Sequence, residues 1–244
     1  MVLTNNTIID ESVDFEAGQV MLVDKELKWT SFDVVNKIRF ILGRRLKLKK
    51  IKVGHGGTLD PLATGLMLVC IGKETKNQVQ YQCENKEYLA QITLGATTPS
   101  FDLETEINQK FDYGHITRSL IEKILVEKFT GQIQQVPPSY SAKFVDGVRA
   151  YEMAREGQTV ELQPQSVTIH SITIVNYELP NITIEVSCSK GTYIRSLAND
   201  IGKELGCGAH LSGLIRTRSG NYFLKDAMKV SDFENNLLNL TQGK

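Results

Sequence analysis

The stretch GHGGTLDPLATGLMLVCI, residues 54–71, joins a glycine-rich loop to an unbroken apolar run. Glycine permits sharp turns and close approach of the backbone to other groups, so the loop is typical of a segment that contacts a ligand. The apolar run, residues 66–71, is too short to span a membrane and predicts a buried strand. Asp60 is the acidic residue of this loop, and its presence there needs an explanation.

Length and composition indicate an ordinary globular protein. The chain has 244 residues, 41% hydrophobic and 23% charged, with a formal net charge of zero. This length fits one large domain, or a domain with a modest subdomain. The sequence lacks an apolar run of about 18 residues and a basic start followed by an apolar region, so we expect neither a membrane span nor a secretory signal. Cys70, Cys83, Cys188 and Cys207 form no CxxC pair, which favours reduced thiols in a cytoplasmic protein.

Hydrophobic periodicity and turn residues predict the order of the elements. Strands are predicted at 20–23, 66–71, 87–94, 167–177 and 182–188, and helices at 30–43, 117–130, 150–156 and 194–205, with a last helix capped at Ser231. The strands come in hairpin-like pairs rather than in strict alternation with helices. The expected fold class is therefore α/β of the α+β type, with a mixed, largely antiparallel central sheet flanked by helices.

A basic segment, RRLKLKKIK at residues 44–52, lies directly before the glycine-rich loop. It carries six positive charges and no negative charge. Most charge runs are solvated surface, which is one interpretation of this segment. Its position beside the loop supports the other interpretation, that it binds an anionic ligand.

Residue chemistry alone leaves the role of Asp60 open. The GxxxxGK[ST] and GxGxxG spacings are absent, which argues against a nucleoside triphosphatase. His55 and Asp60 alone do not make a metal site without further ligands at recognisable spacing. An Asp before Pro is commonly a turn residue, so a turn role and a catalytic role remain as alternatives.

Several segments together resemble a known family. GHGGTLDPLATGLMLVCIGKETK resembles the catalytic motif of the TruB-type tRNA pseudouridine synthases, in which the Asp of the GTLDPLATG loop is the essential carboxylate. In the family's order, further similarities are Asp24-Lys25 with Thr30-Ser31, Lys86-Glu-Tyr88, VPPSYSAKFVDGVRAYEMAREG, CSKGTYIRSLANDIGKELGCGAH and Leu211-Ser-Gly-Leu214-Ile-Arg216. The resemblance covers about residues 20–226.

The chain departs from the family pattern in three places. Gly56 stands where the family usually has Thr, and Glu26 where it usually has Pro. LGATTPSFDLET replaces an LGxxTDTxDxxG pattern. None of these changes affects Asp60, nor Tyr88, Tyr193 or Arg195, which lie in the matching motifs.

The resemblance implies an isomerase with a pseudouridine synthase-like fold. Such an enzyme cleaves the bond between uracil N1 and ribose at uridine-55 of the tRNA T-loop, turns the base and rejoins it through carbon 5, without a cofactor or a metal. A carboxylate suits this reaction because the ribose carbon becomes electron-poor as the base leaves. Asp60 then traps that carbon covalently, stabilises it, or removes a proton from its neighbour, and the sequence leaves these three roles open.

By the same resemblance, further residues receive roles. Arg195 keeps Asp60 ionised, Tyr88 stacks on the target base, and Tyr193 assists proton removal at carbon 5 or orients Arg195. The catalytic set is Asp60, Tyr88, Tyr193 and Arg195. His55, Lys25, Lys73, Leu214, Lys47, Lys49 and Lys50 form the substrate-binding set, with Leu214 as an apolar wall and the lysines as phosphate contacts.

The expected organisation is a catalytic domain almost alone. Residues 1–19 are predicted as an N-terminal extension, 20–226 as the catalytic domain and 227–244 as a helix and tail. Relatives commonly add an RNA-binding domain of the PUA type, and only 18 residues follow Asp226 here, so no such domain is expected. The expected partner is the T-arm of tRNA, with no membrane, no metal and no obligatory protein partner.

Three other functions remain as alternatives. The first is a tRNA-folding module that binds and flips the same loop without chemistry. The second is a pseudouridine synthase that acts on another RNA. A glycosidase is the third, although that chemistry generally needs two carboxylates and the sequence shows one well-placed candidate.

Overall fold

The computed structural model describes residues 1–48, 50–145, 147–158 and 160–242. The chain divides into two units. Unit 1 comprises Met1–Tyr88 and Ile215–Lys244, and unit 2 comprises Leu89–Leu214. The candidate loop with Asp60 belongs to unit 1.

The elements confirm the predicted fold class, α+β with a large, mixed and mostly antiparallel sheet flanked by helices. In chain order the strands are β1 (Val2–Leu3), β2 (Gln19–Lys25), β3 (Val53–His55), β4 (Ala63–Ile71), β5 (Lys86–Leu94), β6 (Ala96–Thr97), β7 (Gln109–Lys110), β8 (Gly131–Gln135), β9 (Phe144–Val145), β10 (Val148–Arg149), β11 (Gln165–Glu178), β12 (Asn181–Cys188), β13 (Ala209–Ser219) and β14 (Tyr222–Phe223). The helices are α1 (Ser31–Arg45), α2 (Gln78–Cys83), α3 (Arg118–Phe129), α4 (Ala150–Arg155), α5 (Ile194–Glu204) and α6 (Val230–Gln242), with short 3₁₀ helices at Gly72–Asn77 and Leu224–Asp226.

Strand pairing in unit 1 frames the glycine-rich loop. β2 pairs antiparallel with β4, and the last pair of this register sets Lys25 opposite Gly65. β3 pairs antiparallel with the other end of β4, and β1 runs parallel to β2. The loop therefore leaves β3 and returns along β4 at the end where β2 finishes. A buried apolar cluster supports this arrangement: Val20, Leu22, Leu66 and Leu68.

Helix α1 has a strong start signal. The hydroxyl of Thr30 accepts a hydrogen bond from the Asp33 amide at 3.0 Å, and the Asp33 carboxylate accepts one from the Thr30 amide at 2.8 Å. Such a capping box satisfies two amides that the helix leaves unpaired, and caps of this kind contribute about 1 kcal/mol. The buried face repeats at helical spacing: Val34, Val35, Ile38, Ile41 and Leu42.

Unit 2 is built on long antiparallel strands. β11 pairs with β12 on one side and with β8 on the other, and alternate side chains of β12 are buried. Helix α3 begins after the cap Thr117, whose hydroxyl accepts a hydrogen bond from the Leu120 amide. Helix α5 buries most of its length, including Arg195 in its first turn.

The structure corrects several local predictions. Helix α1 continues to Arg45, so the predicted stop at Gly43 is wrong. Helix α6 begins at Val230, so Ser231 lies in its first turn, where its hydroxyl contacts the Asp232 carboxylate instead of capping the helix. β8 and β13 were not predicted as strands. The division into residues 1–19, 20–226 and 227–244 stays a prediction.

Within the described part of the chain, no helix is both long enough and apolar enough to cross a bilayer.

Candidate active site

The Asp60 loop is fixed from the start of helix α1. Ser31 binds Leu59 in both directions: its hydroxyl accepts a hydrogen bond from the Leu59 amide at 2.8 Å and donates one to the Leu59 carbonyl at 3.0 Å. The Lys28 amide donates to the Pro61 carbonyl at 2.8 Å. The residues on both sides of Asp60 are therefore tied to the segment that leads into α1.

Asp60 itself is half-buried, as are Pro61 and Leu62 after it. Leu59 and Ala63 belong to the core, and the Ala63 amide closes the turn by donating to the Asp60 carbonyl at 3.0 Å. The turn role considered for Asp60 is thus carried out by its backbone carbonyl.

Arg216 clamps the loop from inside unit 1. The side chain is 2% exposed. Its Nε donates to the Leu66 carbonyl at 2.6 Å, while Nη2 and Nη1 donate to the carbonyls of Gly57 and Thr58 at 3.2 and 3.5 Å. Hydrogen bonds from a charged donor contribute about 1.5–3 kcal/mol each, so one guanidinium joins the residues before Asp60 to the strand after it.

Lys25 lies inside unit 1 rather than at its surface. The residue is fully buried, and Nζ donates to the carbonyls of Trp29 at 2.6 Å and Glu26 at 3.0 Å. Burial lowers its pKa to about 8, while the negative charge of Asp60 raises it and the positive charge of Arg216 lowers it. The geometry indicates a cation that supports the segment before α1 and acts electrostatically on Asp60. The phosphate contact predicted for Lys25 stays a prediction.

His55 is held as a neutral imidazole. Its Nδ1 accepts a hydrogen bond from the Gly57 amide at 3.3 Å. Burial, together with the charge of Arg216, lowers the pKa of His55 below its ordinary value. With Nδ1 as acceptor, the proton of the neutral ring lies on Nε2, which can donate to an RNA acceptor. The predicted RNA contact is consistent with this tautomer and stays a prediction.

Tyr88 follows an anchored start of strand β5. Lys86, two residues before it and so on the same face of the strand, is buried and donates from Nζ to the carbonyls of Tyr81, Gln82 and Glu84 at 2.9, 2.8 and 2.6 Å. These carbonyls end helix α2, where a cation is favourable. Tyr88 is 8% exposed, and its stacking role stays a prediction.

In unit 2, Tyr193 and Arg195 are positioned by the start of α5. The Gln135 side chain binds the backbone of Tyr193 twice, accepting from its amide at 2.8 Å and donating to its carbonyl at 3.0 Å. Arg195 is buried, with Nη1 donating to the Tyr140 carbonyl at 2.9 Å and Nε 3.7 Å from the Asp102 carboxylate. The predicted ion pair between Arg195 and Asp60 joins residues of different units and stays a prediction.

The other substrate-binding candidates lie in different environments. Lys47 and Lys50 are exposed after α1, and Lys73 is exposed on the 3₁₀ helix that follows β4. Lys49 lies outside the described residues. Leu214 is buried on β13, as an apolar wall requires, although its role is untested.

Sequence reasoning gave no supporting role to Ser31, Arg216, Lys86, Gln135 or Asp102. Four of them lie in motifs quoted above, namely Ser31, Lys86, Asp102 and Arg216. Except for Lys86, whose partners lie two to five residues before it, these side chains bind groups that are distant in the sequence, and no local pattern records such contacts.

The described residues contain no cluster of three or more His, Cys, Asp or Glu side chains that could share a metal ion. The candidate site consists instead of a carboxylate on a clamped loop, with buried cations around that loop.

The sequence that forms this α+β scaffold and this clamped glycine-rich loop matches the pseudouridylate synthases. Residues 44–194 match the TruB family pseudouridylate synthase N-terminal domain, and residues 195–243 match the tRNA pseudouridylate synthase B C-terminal domain. The chain belongs to the TruB family.

Similar proteins cover nearly the whole chain. A protein of Phocaeicola vulgatus named tRNA pseudouridine synthase B is 55% identical over 221 residues, which is 91% of this chain and 94% of the relative. One of the same name from Flavobacterium johnsoniae is 50% identical over 92% of this chain and 98% of the relative. Among solved structures, a chain of a Cbf5-Nop10-Gar1 complex is 30% identical, with a TM-score of 0.67. The match covers 95% of this chain and 60% of the solved chain, so this chain spans less than two thirds of it.

Proposed function

We propose that this chain isomerises uridine to pseudouridine in tRNA, and that the target is uridine-55 of the T-loop. Membership of the TruB family supports the reaction, and relatives at 50–55% identity named tRNA pseudouridine synthase B support the substrate. The observation that carries the proposal is the Asp60 loop. Ser31 and Arg216 hold the backbone on both sides of a half-buried carboxylate.

The chemistry requires a fixed anion next to the ribose. The bond from ribose C1′ to uracil N1 breaks, the base turns, a bond from C1′ to C5 forms, and C5 loses a proton while N1 gains one. The product is an isomer of the substrate, so no oxidant or co-substrate is consumed. Asp60 attacks C1′, stabilises its positive charge, or removes a proton from the neighbouring ribose carbon. A loop clamped before the substrate arrives lowers the reorganisation that each route needs.

The other members of the catalytic set complete the proposal. Tyr88 provides an aromatic face for the extruded base, and Arg195 favours the ionised form of Asp60. Tyr193 assists removal of the proton from C5 of the turned base or orients Arg195. These roles follow from the family resemblance. Within their own units, Tyr88 and Arg195 are buried, and the backbone of Tyr193 is bound by the Gln135 side chain.

Binding of tRNA is proposed to use the surface around the loop. His55 donates from Nε2, and exposed Lys47, Lys50 and Lys73 contact phosphates, which fix the position of the RNA without reading its bases. Such an enzyme works where tRNA is made, in the cytoplasm. We propose no obligatory protein partner for this reaction.

Mapping of pseudouridine in an unmodified tRNA transcript tests the proposal. Wild-type protein is expected to modify position 55, and Asp60→Asn to lose more than about a thousandfold in kcat, about 4 kcal/mol, with tRNA affinity unchanged within a few-fold. Asp112→Asn is the matched control, because Asp112 is an exposed residue of unit 2 whose carboxylate accepts a hydrogen bond from the Gly114 amide.

Each alternative predicts a different result of the same experiment. Modification at another position, or of another RNA only, means a different substrate. Binding without modification means an RNA-folding module. Release of free uracil means a glycosidase. An Asp60→Asn variant that keeps a tenth of the wild-type rate contradicts the role of Asp60.

A further inference from the structure

Helix α5 in unit 2 begins directly after Tyr193, which is its N-cap residue. The first amides of a helix have no partner within the helix and need one from elsewhere. Ser, Thr, Asp and Asn usually supply it at this position, because their short side chains reach those amides, and tyrosine is not one of these residues. The backbone at the start of α5 is bound instead by a side chain of another element.

That side chain belongs to Gln135, the last residue of β8. Its amide oxygen accepts a hydrogen bond from the Tyr193 amide at 2.8 Å, and its amide nitrogen donates to the Tyr193 carbonyl at 3.0 Å. Gln135 is 1% exposed. One side chain thus binds both backbone groups of one residue, as the paired residues of two antiparallel strands do.

Glutamine suits this double bond because its side chain carries a donor and an acceptor on the same carbon. An ionised glutamate in its place accepts hydrogen bonds but donates none. Methionine has a similar length and offers only a weakly accepting sulfur. Replacement of Gln135 by either residue therefore removes part or all of the double bond while it changes the volume of the side chain little.

Two further hydrogen bonds join the same segments of unit 2. The Ser196 hydroxyl donates to the Val136 carbonyl at 2.7 Å, and Nη1 of Arg195 donates to the Tyr140 carbonyl at 2.9 Å. The first turn of α5 is therefore bound to the chain that leaves β8 at several points. The double bond from Gln135 is the part of this contact that holds the N-cap residue.

We infer that Gln135 is a positioning residue for Tyr193, which fixes the backbone from which the phenol reaches the turned base. The inference rests on the proposed function, in which Tyr193 assists removal of the proton from C5 or orients Arg195. A tyrosine side chain turns about two torsions, so the place of its backbone largely decides where its hydroxyl lies. Gln135 therefore acts on the reaction through Tyr193.

The inference predicts a loss of rate and not of binding. Gln135 is buried, whereas the lysines proposed to contact phosphates are exposed. Proton transfer needs groups within hydrogen-bond reach, and a misplacement of about 1 Å costs about a hundredfold in rate. Gln135→Met is expected to lower the kcat of the folded protein at least thirtyfold, with KM changed less than threefold. A wild-type kcat in this variant overturns the inference.

Gln165→Met is the matched control. Gln165 lies opposite Gln135 in the pairing of β8 with β11, and its side chain donates to the Gly191 carbonyl at 2.6 Å. It thus anchors the same loop two residues before Tyr193. Gln165→Met is expected to keep kcat within threefold. Equal losses in the two variants would mean general anchoring of the loop and overturn the inference.

A double-mutant cycle with Tyr193→Phe tests whether Gln135 acts through the phenol. In the Tyr193→Phe background the hydroxyl that Gln135 positions is gone, so Gln135→Met is expected to lower kcat at most fivefold further. A purely structural role of Gln135 predicts instead that the two single losses multiply. Multiplication of the losses overturns the inference.

Amide hydrogen exchange gives a readout that does not need catalysis. Exchange of the Tyr193 amide is expected to be at least tenfold faster in Gln135→Met than in wild type, and within threefold of wild type in Gln165→Met. If wild-type protein makes no pseudouridine, the proposed function fails, while equal exchange in wild type and Gln135→Met overturns the positioning of Tyr193 separately.

Gln135→Glu decides the question if Gln135→Met does not fold. The ionised glutamate keeps the bond from the Tyr193 amide and loses the one to the Tyr193 carbonyl. This variant is expected to lower kcat at least tenfold with KM within threefold. A kcat equal to that of wild type overturns the inference.

Discussion

Replacement of Arg216 by Lys tests whether the clamp on the loop carries both stability and rate. Lys keeps the charge but loses the fork that reaches the Leu66, Gly57 and Thr58 carbonyls together. An ammonium group in this space can keep the Leu66 bond, and the other carbonyls then lose a charged donor. At about 1.5–3 kcal/mol for each such bond, with the 3.5 Å bond counted as weak, we expect a loss of about 2–4 kcal/mol in the free energy of unfolding.

The same substitution is expected to affect the rate more than binding. Freed from the guanidinium, the segment before Asp60 samples positions outside the productive geometry, and kcat falls about ten- to a hundredfold with KM within threefold. Urea denaturation measures the first effect, and steady-state pseudouridine formation the second. If the substitution only destabilised the fold, the molecules that remain folded would have the wild-type kcat. If Arg216 positions the loop, the folded molecules themselves have a lower kcat.

Arg218→Lys is the matched control on the same strand. Arg218 is partly exposed, and Nη1 contacts the Glu87 carboxylate at 2.9 Å while Nε donates to the Gly220 carbonyl at 2.6 Å. Partly exposed ion pairs contribute about 0–1 kcal/mol, so this variant is expected to stay close to wild type. Equal behaviour of Arg216→Lys and Arg218→Lys, in stability and in kcat, would refute the reasoning.

Three further predictions address other parts of the site. Tyr88→Ala is expected to lower kcat at least tenfold more than Tyr88→Phe, since the ring and not the hydroxyl supports the base, and equal rates would exclude stacking. The double variant Lys47→Gln/Lys50→Gln is expected to reduce the slope of log K for tRNA binding against log salt concentration by about 1.4, since each phosphate contact contributes about 0.7. An unchanged slope would mean that the segment is solvated and does not contact phosphates. Lys25→Met is expected to remove a pH dependence of stability. The buried amine has a pKa of about 8 in the folded chain and an ordinary 10.5 in the unfolded chain. Between these values only the unfolded chain holds the proton, so wild-type stability rises with pH relative to the variant, by up to about 3 kcal/mol, and parallel denaturation curves from pH 7.5 to 9.5 would contradict this.

Elements with local signals were predictable from the sequence. The capping residues Thr30 and Thr117 mark the starts of two helices, and the alternation of apolar and polar residues in β12 is typical of a strand. β8, with the sequence GQIQQ, has one apolar residue and is a strand because it pairs with β11. Pairing with a distant partner leaves no mark on so short a stretch, which is why this strand was missed.

The candidate acid was predictable from the sequence, but the residues that hold its loop in place were not. Asp60 stood out because the residues of its loop match a family motif. Arg216 lies within another quoted motif, but the sequence does not indicate that this arginine is buried, because most charged residues are at the surface. Its burial depends on carbonyls from the loop and from β4, and only the folded chain brings these together. For the same reason, the burial of Lys25 was not predictable from the sequence.

The distance along the chain between Arg216 and the loop has a consequence for protein synthesis. The bonds to the carbonyls of Leu66 and Thr58 span 150 and 158 residues. At about 5–20 residues per second, a ribosome needs roughly 8–30 s after making the loop before it adds this arginine. Throughout that interval the nascent chain carries its acid on a loop that lacks the arginine clamp. Premature termination before residue 216 would release a product that contains Asp60, His55 and Tyr88 and still has no arginine to hold the loop.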